Sequence, residues 1–310
     1  MFRFKTEQKI ENIAGVLVGG QPGELPTVLA GTIFYENHKI VRDHELGLFD
    51  KVEAERLINV QEACSDETGN PHMVHVFATT KAAAINYLDF VTQLTDAPVI
   101  IDSTESSVRI EALQYATEMG YADKIVYNSI NMSITQTERD ALTDSDVTSA
   151  IILGFNPVDS SLEGRMALLE NGAGVMDDGL INIAKECGIT NILIDPSITP
   201  LGSGAGVALK LTLAAKSRWG YPVGSGIHNA PSSWQWLREK RKVDARIFQI
   251  CDIASTAIQQ VAGGDFVLYG PIENAPYTFP LAAMTDIMIA EAGSDVDIDV
   301  SPQHPINNLV

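Results

Sequence analysis

Positive charge is scarce in this 310-residue chain, in which 21 Lys and Arg residues face 40 Asp and Glu residues. The formal net charge at pH 7 is −19. Proteins that bind nucleic acid neutralise phosphates with clustered Lys and Arg, and docking on anionic lipid needs similar clusters. The composition therefore argues against nucleic-acid binding and against direct contact with an anionic membrane. We expect any membrane attachment to run through protein partners.

Cysteine is equally scarce. Cys64, Cys187 and Cys251 lie far apart with no C-x-x-C spacing, which argues against a disulfide framework and fits a reducing compartment. His72 and His75 lie in a predicted strand, where a spacing of three residues points the two rings to opposite faces. A zinc site is therefore not expected.

Long apolar runs are also missing. No stretch approaches the roughly 20 apolar residues that a membrane-spanning helix requires. The N-terminal segment MFRFKTEQKIENIAG lacks the apolar core of a secretory signal. We therefore expect a cytoplasmic protein, and the 45% content of hydrophobic residues predicts a large globular core rather than disorder.

The sequence does contain a regular alternation of short apolar runs with amphipathic stretches. The runs have the length and composition of buried strands. They are TVLAGTIF (27–34), HMVHVFA (72–78), PVIIDS (98–103), KIVYNSI (124–130), SAIILGF (149–155), NILIDPS (191–197), VGSGIHN (223–229) and DFVLYGPI (265–272). Helical patterns such as KVEAERLINVQEACS and SVRIEALQYATEMG separate them, the fifth connection holds two helical pieces, and PLAAMTDIMIAEAG (280–293) is the last predicted helix.

Apolar strands separated by helices predict parallel strands that are buried on both faces, so the expected class is α/β. Eight such units in ~250 residues match a (β/α)8 TIM barrel. A doubly wound open sheet is the competitor, but its usual glycine fingerprint is missing after the first strand, where the sequence reads TIFYENHKIV. No linker divides the chain, which predicts one domain over residues 1–310. Residues 1–26, with a hairpin at IAGVLVGGQPG, are expected to cap the barrel bottom.

Polar residues stand at the C-terminal ends of five predicted strands. In a TIM barrel these ends carry the chemistry. The residues are Asp102, Ser103, Asn128, Ser129, Asn156, Asp195, His228 and Asn229. Each alone is also an ordinary helix cap or turn former, and that interpretation stays open at every single position. Their convergence on one rim favours a binding site.

Carboxylates and amides dominate this set, whereas Lys, Arg and Cys are missing from these strand ends. Such groups suit a flat heterocycle that offers an amino group and a ring N–H as donors, and a pterin has that edge. Neither a G-x-S-x-G turn nor an H-E-x-x-H helix occurs, which argues against hydrolases of those kinds. No bound metal is expected.

Several longer motifs carry a family resemblance. The succession IDST (101–104), YNSIN (127–131), LIDPS (193–197) and GIHNAPS (226–232) resembles the pterin-binding barrel superfamily of dihydropteroate synthases and corrinoid methyltransferases. The motifs VGGQPGELPTVLAGTIFY, SDETGNP, TPLGSGAG, GIHNAPSSWQWLRE and FVLYGPIENA resemble, more closely, the H-subunit family of the tetrahydromethanopterin S-methyltransferases of methane-forming archaea. This resemblance runs from the first residues to HPINNL near the end.

The resemblance implies an activity, the transfer of the N5-methyl group of methyltetrahydromethanopterin to the cob(I)amide of a partner corrinoid subunit. It also implies a homodimer and a membrane-bound complex that passes the methyl group to coenzyme M while exporting sodium ions. Two alternatives stay open. One is a stand-alone methyltransferase that works with a separate corrinoid protein, and the other is a non-catalytic barrel subunit that positions its partners.

The resemblance also assigns roles to individual residues. Those implied to bind the pterin ring are Asp102, Asn128, Ser129, Asn156 and Asp195. Asn229 is implied to approach N5. A neutral tertiary amine is a poor leaving group, so N5 must gain a proton or a hydrogen bond as its bond to the methyl carbon breaks, and an amide can supply that hydrogen bond.

The source of the proton for N5 stays open at this level. Bulk water and a carboxylate acting through water are both candidates, with Glu36, Glu105 and Glu273 near strand ends, and the position of His228 keeps it in the same group.

Two further segments have alternative interpretations. The loop PLGSGAG (200–206) lacks an adjacent cation, so close packing of its glycines is favoured over a phosphate cradle. Trp234 and Trp236 stand beside the basic stretch 238–242. These residues either pack on a solvated face or meet the corrinoid partner or the acidic tail of the pterin.

Overall fold

The fold is an eight-stranded parallel barrel surrounded by helices, in a computed structural model that describes residues 2–310. The strands are β1 Ile10–Ile13, β2 Val16–Gly19, β3 Val28–Ile33, β4 Val41–Asp43, β5 Leu48–Phe49, β6 His72–Phe77, β7 Val99–Asp102, β8 Ile125–Ile130, β9 Ser149–Leu153, β10 Asn191–Asp195, β11 Gly224–Ser225 and β12 Phe266–Pro271. The barrel order is β10-β9-β8-β7-β6-β3-β12-β11. A parallel bridge from Ile194 to Val223 joins the two ends of this sheet. The predicted TIM barrel is confirmed.

Helices connect successive strands and cover the outside of the barrel. They are α1 Lys51–Thr68, α2 Lys81–Leu94, α3 Ser106–Met119, α4 Gln136–Asp144, α5 Leu162–Asn171, α6 Leu180–Glu186, α7 Ala205–Trp219, α8 Asn229–Ser232, α9 Gln235–Arg241, α10 Ala245–Val261, α11 Ala275–Gly293 and α12 Ile306–Leu309. Short 3₁₀ turns occupy Ala122–Lys124, Gly172–Gly174 and Ile272–Asn274. As predicted, two helices, α5 and α6, fill the long fifth connection.

Local sequence signals set several helix ends. Helix α1 begins after Asp50, whose side chain accepts the backbone N–H of Glu53 at 3.2 Å, and it ends at Gly69 with a left-handed φ of 82°. Helix α4 begins with a capping box in which Thr135 and Glu138 each bond the backbone of the other. These boundaries are encoded by residues adjacent in sequence.

Two predicted boundaries are wrong. The strand predicted over 223–229 is reduced to β11, because residues 226–228 form a turn that leads directly into α8. A Cβ on Gly224 would clash with the carbonyl oxygen of Phe266, so this close strand approach requires glycine. The last helix starts at Ala275, before the predicted start at Pro280, because Pro276 falls in the first turn, where proline is tolerated.

The barrel interior is an apolar layer formed by inward-pointing strand residues. Its members are Val28, Ala30, Met73, Ile100, Val126, Ile151, Leu193, Phe266 and Leu268. Ile13 and Val18 of the β1–β2 hairpin belong to the same cluster and are 1% and 0% exposed. The hairpin therefore plugs the end of the barrel at which the strands begin, and the carboxyl ends of the strands form the other end, the mouth.

The outward-pointing strand residues pack against the helices in a second, larger core. Val74, Ile101, Tyr127 and Ile194 all belong to it. Apolar side chains thus cover both faces of the strands, which is why the sequence shows continuous apolar runs rather than strict alternation.

Candidate active site

A ring of mostly polar side chains lies above the apolar interior at the barrel mouth. Side chains alternate along a strand, so the residue two positions beyond an inward apolar residue also points inward. On β3, β6, β7, β8, β9, β10 and β12 these residues are Thr32, His75, Asp102, Asn128, Leu153, Asp195 and Gly270. The mouth ring brings together three residues that the sequence singles out, namely Asp102, Asn128 and Asp195.

A chain of hydrogen bonds fixes one side of the mouth ring. Thr32 Oγ1 lies 2.8 Å from His75 Nδ1, and His75 Nε2 lies 3.1 Å from Asp102 Oδ2. The imidazole is buried, whereas 31% of the Asp102 side chain is exposed. When Nε2–H donates to the carboxylate, His75 orients Asp102 and leaves it acceptor capacity for a ligand.

Asp195 is the more buried of the two ring carboxylates, at 8% exposure. Its Oδ1 accepts the backbone N–H of Ser197 at 2.7 Å. Burial raises the pKa of Asp195 to about 7, and the nearby negative charge of Asp102 adds to the shift. A ligand that donates hydrogen bonds to this side chain would stabilise its carboxylate form.

Arg165 holds the loop that follows Asp195. This buried guanidinium on α5 donates hydrogen bonds to the carbonyl oxygens of Pro196 at 2.7 Å and Ser197 at 2.8 Å. Ser197 has a left-handed φ of 58°, a conformation that a residue other than glycine adopts rarely. Arg165 therefore stabilises an unusual turn beside the most buried acid of the mouth ring.

Asn128 and Ser129 stand at the end of β8, where the pairing with β9 shifts register between Asn128 and Ile130. Asn128 is half-buried, Ser129 is buried, and the peptide bond between them is cis. Tyr127, the residue before them, points outward and donates to Glu138 at 2.7 Å. Because side chains alternate along the strand, the side chain of Asn128 belongs to the inner face.

Asn156 lies outside the mouth ring, in the loop after β9. It is 1% exposed, and its amide donates to the carbonyl oxygen of Gly164 at 2.9 Å. Its Oδ1 accepts the backbone N–H groups of Val158 and Asp159, each at 3.0 Å. These contacts organise the loop, and the inward position on β9 is filled by Leu153.

His228 and Asn229 lie where the turn after β11 enters α8. Asn229 is an exposed amide. The imidazole of His228 packs against the backbone of Gly270, because a Cβ on Gly270 would lie 2.6 Å from its Nδ1. Burial lowers the pKa of His228 to about 4, so the ring is neutral at pH 7.

Sequence reasoning missed three side chains of this site, Thr32, His75 and Arg165. Thr32 and His75 point inward in the same way as Asp102. In a continuous apolar run, the sequence does not show which alternate side chains point into the barrel. The inward direction of Thr32 and His75 therefore cannot be predicted without the neighbouring strands. Arg165 lies on a helix that the sequence gives no reason to connect with Asp195.

Three observations cover the described residues 2–310. No group of three or more His, Cys, Asp or Glu side chains is arranged to hold a metal ion. All three cysteines are free thiols, with Cys187 buried and the other two half-buried. No helix in this part of the chain is long and apolar enough to cross a membrane.

Comparison with known proteins identifies the family. The family model described as Tetrahydromethanopterin S-methyltransferase MtrH subunit matches residues 6–301. The chain belongs to the MtrH family. A relative from Methanosarcina barkeri, named as the H subunit of a putative mtx methyltransferase, is 60% identical over the whole of both chains. The H subunit of tetrahydromethanopterin S-methyltransferase from Methanothermobacter marburgensis is 52% identical, again over the whole of both chains.

Solved structures share the fold of this MtrH-family chain. A dihydropteroate synthase from Yersinia pestis superposes with a TM-score of 0.60 and 11% identity, covering 90% of this chain and 98% of the other. The Xanthomonas albilineans dihydropteroate synthase in complex with 7,8-dihydropteroate gives a TM-score of 0.52 and 16% identity, with 91% and 96% covered. At these identities the likeness shows the barrel fold alone.

Proposed function

We propose that this MtrH-family protein transfers the N5-methyl group of methyltetrahydromethanopterin to the cob(I)amide of a partner corrinoid subunit. The observation that carries the proposal is the convergence of Asp102, Asn128 and Asp195 on the mouth ring. These are three of the positions that the family resemblance predicts for binding the pterin. The family description, a tetrahydromethanopterin S-methyltransferase subunit, supports the pterin and the methyl group, and the corrinoid acceptor is the inferred part.

The mouth ring supplies the acceptors that the edge of a pterin needs. The protein uses Oδ1 of Asp195 for the N–H of Ser197 and Oδ2 of Asp102 for His75. Each carboxylate keeps further lone pairs, and a carboxylate can accept from a 2-amino group and an adjacent ring N–H at once. The amide of Asn128 both donates and accepts, so it complements the remaining ring positions.

Methyl transfer from a neutral amine requires help at the nitrogen. The methyl group leaves N5 for a nucleophile that enters from the open end of the barrel, and the electron pair of the broken C–N bond stays on N5. Asn229 is exposed at the mouth and carries an N–H donor that does not titrate near neutral pH. We assign it the hydrogen bond to N5, which strengthens as charge develops in the transition state.

The family resemblance also suggests in which complex this reaction takes place. We assign the chain the first half-reaction of a coenzyme M methyltransferase complex that exports sodium ions. In this assignment the protein is cytoplasmic, the cobamide is carried by a partner subunit, and the protein reaches the membrane only through its partners. The net charge of −19 supports attachment through protein rather than lipid.

We propose the basic stretch on α9, which lies next to the mouth, as a contact for that partner. Lys240 lies 5.4 Å from the ring centre of Trp236, and Arg241 lies 4.7 Å from that of Phe248. Trp236 is 51% exposed. An exposed aromatic with an adjacent cation is typical of an interface anchor, and Trp236 follows closely on α8.

A second candidate function has its own support. Relatives from three Methanosarcina species, named as H subunits of putative mtx methyltransferases, are 60 to 61% identical to this chain. The H subunits of tetrahydromethanopterin S-methyltransferases are 47 to 52% identical over the full chain. This difference favours a methyltransferase with other partners than the sodium-exporting complex. Affinity purification from native membranes and from native cytosol separates the two, because only the first candidate predicts co-purification with integral membrane subunits.

The outer face of α10 and α11 supports the proposed homodimer. The buried residues of α10 are polar, Asp252, Ser255, Thr256, Gln259 and Gln260. Its exposed face carries Ile250, Ile258 and Val261, at 66%, 52% and 50% exposure. The adjacent α11 exposes Met284 and Met288. Two neighbouring helices with apolar outer faces leave a surface that a second copy can cover.

The homodimer proposal is tested by placing a charge on this face. We expect Ile250→Asp to convert a dimer to a monomer in light scattering, since a buried unpaired carboxylate opposes association. Val52→Asp on α1, also strongly exposed at 79%, is the matched control and should leave the dimer intact. A monomeric wild-type protein would contradict the proposal.

The methyltransferase proposal is tested by stopped-flow spectroscopy, following the loss of cob(I)alamin absorbance on mixing with the protein and methyltetrahydromethanopterin. We expect methylation of cobalt by the wild type. Asp102→Asn should weaken pterin binding by roughly 10-fold to 100-fold, because it replaces a charge-assisted hydrogen bond by a neutral one. Asp66→Asn, an exposed carboxylate on α1, is the matched control and should behave like wild type. Wild-type protein that methylates no cobalt would refute the proposal.

A further inference from the structure

We propose that His228 donates the proton that N5 takes up and that Asp252 positions this imidazole and returns its proton. The inference rests on the proposed function and identifies the acid that the sequence leaves open. Three geometric observations support it. They are the position of the His228 imidazole in the mouth ring, the buried acid Asp252 behind this imidazole, and the hydrogen bonds or exposure of the other candidate carboxylates.

The first observation is that His228 fills a vacant place in the mouth ring. On β12 the inward position above Leu268 is Gly270, which has no side chain and a left-handed φ of 86°. The Nδ1 atom of His228 lies where a Cβ on Gly270 would clash, at 2.6 Å. The imidazole therefore takes the place of a side chain of the ring, next in sequence to Asn229.

The second observation is a buried acid directly behind this imidazole. Asp252 points inward from α10 and is 5% exposed. Its Oδ1 is buried without a hydrogen-bond partner in the described residues and lies 4.0 Å from His228 Nδ1. Catalytic hydrogen bonds are often long in the free enzyme and tighten when substrate binds. A buried acid oxygen without a partner is uncommon in a folded protein and calls for an explanation.

The charges around the pair favour a neutral acid next to a neutral imidazole. Burial lowers the pKa of His228 to about 4, and His75 across the mouth lowers it further. Burial raises the pKa of Asp252 to about 7, opposed by Arg241 on α9. The proton of the pair is therefore held on Asp252 below about pH 7 and is lost as the pH rises above it.

The proposed step balances in atoms and electrons. As the methyl carbon leaves, N5 keeps the electron pair of the C–N bond and takes the proton from Nε2 of His228. Nδ1 of the same ring takes the carboxyl proton of Asp252, so the imidazole stays neutral and Asp252 becomes a carboxylate. Solvent then protonates Asp252 before the next turnover.

The other carboxylates considered as the acid are either hydrogen-bonded within the protein or exposed to solvent. Although burial raises the pKa of Glu273, the contact of His38 Nε2 at 3.2 Å and the hydrogen bond from Tyr35 at 2.8 Å outweigh it and lower that pKa overall, so Glu273 is held ionised. Glu36 and Glu105 are exposed, and Glu105 precedes the first turn of α3. Asp102 accepts from His75 and serves the pterin in the proposed site.

The test is the pH dependence of single-turnover methyl transfer to cob(I)alamin at saturating methyl-pterin. We expect the wild-type rate to fall as the pH rises through about 7. Asp252→Asn should lower the rate by about 10-fold to 100-fold at pH 6.5 and remove this pH limb, because an amide cannot give up a proton, while pterin affinity changes less than about threefold. Asp286→Asn, an equally buried acid at the other end of the barrel, is the matched control and should keep the wild-type rate and pH limb.

A second variant guards against misfolding. His228→Gln should remove the same pH limb, and it carries the test if Asp252→Asn fails to fold by circular dichroism. The proton transfer through His228 is refuted if either folded variant keeps both the wild-type rate and the wild-type pH limb. A wild-type protein that transfers no methyl group refutes the proposed function instead, so the two failures are distinguishable.

Discussion

The two ends of the barrel use buried acids in opposite ways. At the end plugged by the hairpin, Asp286 accepts hydrogen bonds from the backbone N–H and Oγ1 of Thr27 and from the side chains of Asn70 and Gln260, at 2.7 to 2.8 Å. At the mouth, Asp195 receives backbone N–H groups alone, from Ser197 at 2.7 Å and from Gly226, and Asp252 has an unpaired oxygen among the described residues. The protein therefore supplies side-chain hydrogen-bond donors to the acid at the plugged end, and it leaves acceptor capacity free on the acids at the mouth.

Lys216 and Asp265 extend the pattern at the plugged end. The ammonium group of Lys216 lies 2.7 Å from Asp265 Oδ2 and 3.0 Å from the carbonyl oxygen of Gly20, and the lysine is fully buried. Asp265 also accepts the backbone N–H of Val223 at 2.8 Å. This network ties the N-terminal segment to α7 and to the start of β12.

The difference gives a criterion that separates acids held by the protein's own donors from acids that are available to a ligand. Burial is similar at both ends, so burial alone does not distinguish them. What differs is how many donors the protein itself supplies, because an acid with spare acceptor capacity at an open end is available to a ligand. Three predictions test this difference between the two ends of the barrel.

The largest effect is expected at the plugged end. Lys216→Ala should lower the free energy of unfolding by about 3 to 5 kcal/mol, because it leaves Asp265 buried without its cation. Urea unfolding measures the loss, and Lys210→Ala, an exposed lysine on the same helix, should cost less than about 0.5 kcal/mol. Methyl transfer by the folded variant should stay within about twofold of wild type. A large loss of transfer rate without a loss of stability would contradict the contrast.

At the mouth, Asn229→Ala should lower the rate of methyl transfer and leave the stability of the protein almost unchanged. We expect the rate of methyl transfer to fall by about 100-fold to 1,000-fold, as for the loss of one transition-state hydrogen-bond donor, with little change in stability. Pterin affinity should change less than about threefold. Stopped-flow rates and equilibrium titration measure the two quantities, with Gln235→Ala on α9 as the amide control. Equal losses in rate and affinity would show that Asn229 binds the ground state and the transition state alike.

The smallest effect is the pH dependence of pterin binding. Burial raises the pKa of Asp195 to about 7, so below that pH the free protein holds a proton that must leave when the pterin donates to the carboxylate. Affinity should therefore rise with pH, by at most about tenfold per unit, and level off above 7.

Calorimetry in buffers of different ionisation enthalpy measures this proton release directly. We expect close to one proton at pH 6 and none at pH 8 for the wild type. Asp195→Asn should bind more weakly with a flat pH profile. A wild-type affinity that does not change with pH would exclude Asp195 as a titrating ligand group.

Much of the fold could be predicted from the sequence because the signals are local. Seven of the eight predicted strands agree with the structure within a few residues, since a run such as SAIILGF is apolar throughout and is bounded by polar turns. The predicted strand at 223–229 is too long because residues 226–228 turn into α8. The close approach that the remaining short strand makes, between Gly224 and Phe266, joins residues that are distant in sequence.

The candidate site could be predicted only in part, for a related reason. Asp102 and Asp195 end their strands, so their position at the mouth follows from chain direction alone. His75 and Asp252 could not be predicted, because their roles depend on which face of a strand or helix points inward. In helix α10 the usual pattern of apolar residues facing the core is inverted, because several polar residues are buried while Ile250, Ile258 and Val261 are exposed. The sequence pattern therefore predicts the wrong inner face for this helix.

The short strand β11 has a mechanical consequence. It pairs with β12 through only two residue pairs and reaches β10 through a single bridge, whereas β9 and β10 share five pairs. The barrel is therefore closed weakly at β11. The turn that carries His228 and Asn229 follows directly on this strand. Under the proposed function, this turn is the part of the mouth that moves most easily to admit a large methyl acceptor. Asp102 and Asn128 stay in place, because they lie across the barrel on strands β7 and β8, which share four residue pairs.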